Sequence, residues 1–212
     1  MIRIRIFYCK NGDLIYIGNL DMQKIWERSI RRSGLSISYS AGFHPQARIQ
    51  QACPLPLGFF SEDEIVDIWL NETQNTNQIQ EKIVPFLPCG IQVKIIQQVD
   101  LNSATLQSII LAADYEVDIP KFVGIKNIRN NVNILLSTDN YEVYKENKSF
   151  NLRSRINNIE VISDSSSSCV TIRMNLSHTQ NANGRPDDVL KAMELDPLVA
   201  KITRKKLYYQ SQ

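Results

Sequence analysis

The chain has four cysteines, Cys9, Cys53, Cys89 and Cys169, and none of them form a C-x-x-C pair. Zinc and iron–sulfur centres are commonly built from such close pairs, so the spacing argues against a metal site. It equally argues against a disulfide framework, which belongs to small secreted chains. Apolar runs of membrane-spanning length are also missing, so no membrane partner is expected. Met1 leads directly into Ile-Arg-Ile-Arg-Ile, which reads as a strand and not as an export signal. The expectation is a cytoplasmic protein with reduced thiols. Histidine is nearly absent, so any imidazole acid–base chemistry must use His44 or His178. Neither is accompanied by a recognisable nucleophile motif. There is no G-x-S-x-G, H-E-x-x-H or G-x-G-x-x-G and no phosphate-binding glycine loop. No residue is therefore assigned a catalytic role, and neither a cofactor nor a metal is expected.

What is present starts with an ordinary globular composition, 43% hydrophobic and 22% charged over 212 residues. That length suits one large domain or two small lobes with a real core. Charge is uneven. Residues 1–60 hold eight Lys/Arg (Arg3, Arg5, Lys10, Lys24, Arg28, Arg31, Arg32, Arg48) against Asp13, Asp21 and Glu27, a balance of +5 in a chain whose total is +2. A local excess of this kind steers phosphate-bearing partners while the whole stays near neutral.

Periodicity gives the element order. Residues 2–8, IRIRIFY, alternate as a half-buried strand. Lys10-Asn11-Gly12-Asp13 predicts a turn, after which LIYIG pairs back as a second strand. From Asp21, read as an N-cap, to Ser33 the pattern is helical, with Met22, Ile25, Trp26 and Ile30 on one face. Lys24, Arg28, Arg31 and Arg32 lie on the other face, and Gly34 stops the helix. Residues 47–53 and 64–71 predict strands, 76–87 a helix ended or kinked by Pro85, and 91–99 a strand. The second half predicts a strand over 106–119, a helix over 121–137 with Phe122, Ile125, Ile128, Val132 and Leu135 inward, and a hairpin over 141–146 and 149–152. It closes with a strand over 169–176, a helix over 185–195 with Pro186 in its first turn, and a strand over 200–209. Residues 164–168, Asp-Ser-Ser-Ser-Ser, read as a short polar loop. The fold class is α+β: two ferredoxin-like lobes of βαββαβ type, antiparallel sheets with helices on one face. The lobes span residues 1–102 and 103–212, with the boundary near 100–105.

Two basic constellations stand out. Arg28, Arg31 and Arg32 lie within about a turn of one another, and planar guanidinium groups grip phosphate oxygens bidentately. Tyr39, Phe43 and His44 follow in the next turn, with Arg48 just beyond. Stackable rings beside cations suit single-stranded RNA. The alternative is structural, with Glu27 pairing Arg31 at helix spacing and Phe43 plugging the core. Near the C-terminus, Gly184-Arg185-Pro186-Asp187-Asp188 opens a helix where Arg185 could meet an anion beside the helix amides. The competing arrangement has Asp187 and Asp188 satisfy that helix end themselves. Lys201, Arg204, Lys205 and Lys206 lie along the last strand.

Several of these stretches together resemble the radical-SAM-linked protein family, a bacterial domain of unknown function. The resemblance runs through residues 3–12, Asn19-Leu20-Asp21, and Glu27-Arg28-Ser29-Ile30-Arg31-Arg32-Ser33-Gly34-Leu35. It continues through Tyr39-Ser40-Ala41-Gly42-Phe43-His44-Pro45, Pro54-Leu55-Pro56-Leu57-Gly58 and residues 61–64. It returns at residues 184–190 and at Ile202-Thr203-Arg204. The chain departs from the family at Asn19, where His commonly stands before Leu-Asp, and at Gln46-Ala47, where Pro-Arg commonly follows the turn. Members are fused or encoded beside radical SAM proteins that carry a cobalamin-binding region. The resemblance therefore implies a radical SAM protein as partner, since this chain has no C-x-x-x-C-x-x-C cluster motif of its own. In architecture alone, tandem ferredoxin-like lobes also resemble the CRISPR repeat-processing endoribonucleases and the tRNA pseudouridine synthases, which points to RNA.

The functional expectation is a non-catalytic RNA-binding or substrate-presenting partner of a radical SAM modifying enzyme. Arg28, Arg31, Arg32, Arg48 and Arg185 would contact phosphate, while Tyr39, Phe43 and His44 would shape or stack on the substrate. One alternative is a metal-independent endoribonuclease-like protein with His44 as acid or base. Another is a protein–protein adaptor docking through Pro-Leu-Pro-Leu-Gly, without nucleic-acid binding.

Overall fold

The fold is taken from a computed structural model, which describes residues 1–120, 125–145, 148–162, 168–179 and 182–210, with side chains of the 125–137 helix from Ile128 onward. It is an α+β protein that divides into two compact units, one covering Met1–Ile110 together with Gln210 and the other Leu111–Tyr209.

In the first unit the chain runs β1 (Ile2–Lys10), α1 (Asn19–Arg32), β2 (Ile49–Gln51), β3 (Phe60–Leu70), α2 (Thr76–Ile83), β4 (Ile91–Val99) and the short α3 (Leu106–Ile109). The sheet order is β4-β1-β3-β2, with every neighbouring pair antiparallel. The even positions of β1, Ile2, Ile4, Ile6 and Tyr8, pack with Val66, Ile68 and Leu70 of β3 against Met22, Trp26 and Ile30 of α1 and Ile79 and Ile83 of α2. Tyr8 and Trp26 meet edge to face, with ring centroids 5.0 Å apart.

LIYIG is not a strand. Gly12–Tyr16 forms a 3-10 turn that buries Leu14 and Ile15. Both edges of β1 are already hydrogen-bonded, to β3 and β4, so no place is left for a hairpin partner. α1 begins two residues before Asp21, with Gly18 at its N-cap, and Asp21 pairs instead with Lys24 at 3.0 Å. The helix ends as expected, at Gly34 with φ +74. Pro85 terminates α2 by falling in a 3-10 turn over Val84–Phe86.

β1 is also more deeply set than a half-buried strand. Arg3 and Arg5, on the face opposite the core, are only 2% and 3% exposed. Asp67 of β3, fully buried, lies between them: its Oδ2 accepts from Arg3 Nη2 at 2.6 Å, and its Oδ1 from Arg5 Nε at 2.9 Å. Arg3 also donates to the carbonyls of Ser103 and Ala104. Two arginines counted in the basic N-terminal third are thus internal.

The second unit runs β5 (Ile110–Pro120), α4 (Ile125–Ser137), the hairpin β6 (Glu142–Lys145) and β7 (Lys148–Asn151), β8 (Ile156–Ile162), β9 (Cys169–Ser177), α5 (Pro186–Ala192) and β10 (Lys201–Tyr209). Its sheet order is β10-β5-β9-β8. Val117 and Ile119 of β5, Ile172, Met174 and Leu176 of β9, Ile128, Val132 and Leu135 of α4, and Val189 and Leu190 of α5 are buried. The expectations for Phe122 and for the polar loop over 164–167 fall outside the described residues, as does that for the Ile125 side chain. β8 is a strand that the periodicity did not predict, and residues 106–109 are helical where a strand was expected.

Candidate anion-binding surface on the first unit

α1 carries its apolar stripe inward, which turns Arg28, Arg31 and Arg32 outward near its C-terminal end. They line an open depression of about 340 Å³. None of the three makes an ion pair or side-chain hydrogen bond to a described residue. The last carbonyls of the helix do not need them. Gly34 N–H donates to Arg31 O, Ser33 N–H to Ser29 O, and Ser33 Oγ to Ile30 O at 2.7 Å. The guanidinium forks are left facing solvent.

The Gly-Phe-His-Pro turn sits on a loop closed at its base by backbone bonds. Arg48 N–H donates to Ser38 O and Ser40 N–H to Gln46 O, each at 2.8 Å, and Tyr39 pairs with Ala47. Phe43 at the tip is fully exposed (101%) and does not plug the core; His44 beside it is exposed too. Tyr39 links this loop to α1: its Oη donates to Glu27 Oε1 at 3.0 Å. Glu27 is therefore held by Tyr39 and makes no ion pair with Arg31. The Tyr39 phenol is pushed above its ordinary pKa, first by burial and then by this bond, and Arg31 nearby opposes the shift. The structure thus brings Tyr39 together with Glu27 and Arg31. Phe43 and His44 project from the loop tip. Arg48 turns elsewhere, its guanidinium carbon 4.9 Å from the Trp69 ring, which Arg3 approaches at 4.8 Å.

Arg185 lies in the second unit, where its Nε and Nη2 bind Asp187 at 2.9 and 3.0 Å. Asp188 beside it is buried and accepts from Lys145 Nζ at 2.9 Å. Arg204, read as one of a cluster of cations along the last strand, is fully buried. Its Nε and Nη2 donate to Tyr115 Oη at 3.3 and 3.2 Å, and Tyr115 Oη lies 2.8 Å from His178 Nε2. With two N–H donors already on it, the phenol donates its O–H as a hydrogen bond to His178 Nε2, which makes that nitrogen the acceptor of a neutral imidazole. Burial, then the Arg204 charge, push the His178 pKa down to about 4, with a hydrogen bond to Asn183 opposing. Both histidines are thereby placed: one exposed without a side-chain partner among the described residues, the other built into a core.

Among the described residues no three His, Cys, Asp or Glu side chains stand together as a metal site, and no helix is long and apolar enough to cross a membrane. Sequence reasoning missed Asp67 and Trp69. The signal was there: IVDIWL places an acid and an indole on one face of an otherwise apolar stretch.

No curated protein matches the chain. Among solved structures, one provisionally described as a glycine cleavage system transcriptional repressor matches with a TM-score of 0.27 and 8% identity, over 99% of this chain and 98% of that one. At that level the similarity carries no argument about fold or function. The family model described as an uncharacterized protein conserved in bacteria (DUF2344) matches residues 3–186, nearly the whole chain, and the protein belongs to that family.

Proposed function

We propose that this protein is a cytoplasmic, non-catalytic module of two ferredoxin-like lobes that binds RNA and presents it to a radical SAM modifying enzyme. The observation that carries the proposal is the set of three arginines, Arg28, Arg31 and Arg32, around one open depression with no carboxylate partner among the described residues. Guanidinium groups so placed match phosphate oxygens bidentately and release counterions on binding. Tyr39, bonded to Glu27 at the edge of this surface, supplies a ring for stacking. Each unit has the 4-1-3-2 strand order that a split βαβ lobe requires, with the β6–β7 hairpin as an insertion in the second. The radical SAM partner rests on the sequence resemblance alone.

A gel-shift titration against tRNA and ribosomal RNA fragments at low and moderate salt tests this. The expected result is intact RNA, shifted at low salt and released as salt rises, with Arg28→Glu/Arg32→Glu abolishing the shift. Binding unchanged by that double charge reversal would overturn the proposal, and cleavage products that vanish in His44→Ala would replace it with a nuclease.

A further inference from the structure

The N-terminal end of α1 borders a second depression, of about 270 Å³, lined by Asn19, Gln23, Ile49, Gln50, Gln51, Pro54 and Gln107. Five of these seven are carboxamides and none carries a charge. Two are held in a fixed sense. Gln51 Nε2 donates to Asn19 O at 3.0 Å, which leaves its Oε1 as a spare acceptor. Gln50 Oε1 accepts from Leu106 N–H at 3.1 Å, which leaves its Nε2 as a spare donor. The side chains of Asn19, Gln23 and Gln107 make no hydrogen bond to a described residue. α1 starts here without a capping side chain, so its first-turn N–H groups add further donors.

This lining excludes most ligand classes. A charged group would find no side chain of opposite charge in the lining, and an apolar one would cover Asn19, Gln23, Gln107 and the free ends of Gln50 and Gln51 without partners. A flat, neutral ring with alternating donors and acceptors satisfies them. Carboxamides read adenine in this way, through its N6 and N7 edge. Position supports the same class. Asn19, Gln23, Glu27 and Arg31 follow one another at four-residue steps, so they form one ridge of α1. Along about 18 Å of helix the ridge leads from the amide depression, past the Glu27–Tyr39 contact, to the arginines.

We propose that the amide-lined depression is a nucleobase pocket that takes one unpaired base, adenine by preference, of an RNA strand whose phosphates lie on Arg28, Arg31 and Arg32. The inference rests on the RNA-binding reading above.

Fluorescence anisotropy with labelled eight-nucleotide oligo(A), oligo(C) and oligo(U) tests it, using wild type and Gln23→Ala/Gln107→Ala, side chains that hold nothing else in place. Wild type should bind oligo(A) roughly tenfold more tightly than the others. The variant should lose that preference while keeping its salt dependence. Equal affinities in wild type, or a preference that survives the double substitution, would overturn the pocket and leave the phosphate surface intact. If no oligonucleotide binds, the phosphate reading fails, and the pocket is decided separately by adding adenosine and uridine to 15N-labelled protein. Glutamine side-chain NH2 signals that move with adenosine alone support it; signals unmoved by either nucleoside remove it.

Discussion

Asp67 is one carboxylate serving two buried guanidinium groups. Desolvating three charges is costly, and their mutual attraction repays it only while all the partners are present. Asp67→Ala leaves Arg3 and Arg5 facing each other without a counter-ion, and the expected loss is about 3–5 kcal/mol. Arg5→Met instead leaves a neutral Arg3–Asp67 pair, so it should cost clearly less; urea unfolding of the two variants checks the order. His178 makes a prediction about pH. Its folded pKa, about 4, lies below the ordinary histidine value. The unfolded chain therefore takes up a proton near pH 6.5 that the folded protein refuses. The stability contributed by neutral His178 is complete above pH 6.5 and is lost as pH falls towards 4, by roughly 3 kcal/mol in all. Unfolding free energies measured from pH 7.5 to 4 should fall less steeply in His178→Gln than in wild type.

The glycines at the ends of elements differ in what holds them. Gly34 closes α1 at φ +74 with nothing near its missing side chain, so Gly34→Ala should cost only the backbone strain, about 1 kcal/mol. Gly90, at φ +100 before β4, is also pressed against its surroundings. A Cβ there would strike the Asn11 carbonyl oxygen and the Leu14 side chain. Asn11 N–H donates to Gly90 O at 2.9 Å, so the turn cannot back away without losing that bond. Gly90→Ala should lower the thermal midpoint several times more than Gly34→Ala, and melting curves of the two decide it. The elements that were legible in the sequence keep their period over most of their length: Ile2–Lys10, the apolar stripe of α1, and Ile91–Val99, where a register shift turns Ile95 outward and Ile96 inward. β8 was illegible because its register shift falls between Ile156 and Asn158, at the start of a seven-residue strand, and leaves two exposed asparagines between the buried Ile156 and Ile159. LIYIG misled for a different reason. Its local pattern suits a strand, but its fate was decided by β3 and β4, which come later in the chain and occupy both edges of β1. The cationic face of α1 followed from helix spacing, whereas the amide depression gathers residues from four separate segments and has no local signature.

For the whole molecule, formal charge overstates how widely the basic character is spread. Of the eight cations in residues 1–60, Arg3, Arg5 and Lys10 are buried, and Lys24 is paired with Asp21. What remains to face a partner is Arg28, Arg31 and Arg32, with Arg48 half-buried against Trp69. Arg185, in the other unit, has its fork on Asp187. Binding driven by this distribution should respond to a few positions and ignore the rest. Each phosphate neutralised on a single strand contributes about 0.7 to the slope of log affinity against log salt. Arg28→Ala/Arg32→Ala should therefore flatten that slope by about 1.4. Arg185→Ala should leave it unchanged, because its guanidinium is committed within its own helix end. Titrations of one oligonucleotide at four salt concentrations distinguish the cases. Equal flattening by both variants would mean that the field of the whole protein, and not the surface on α1, does the binding.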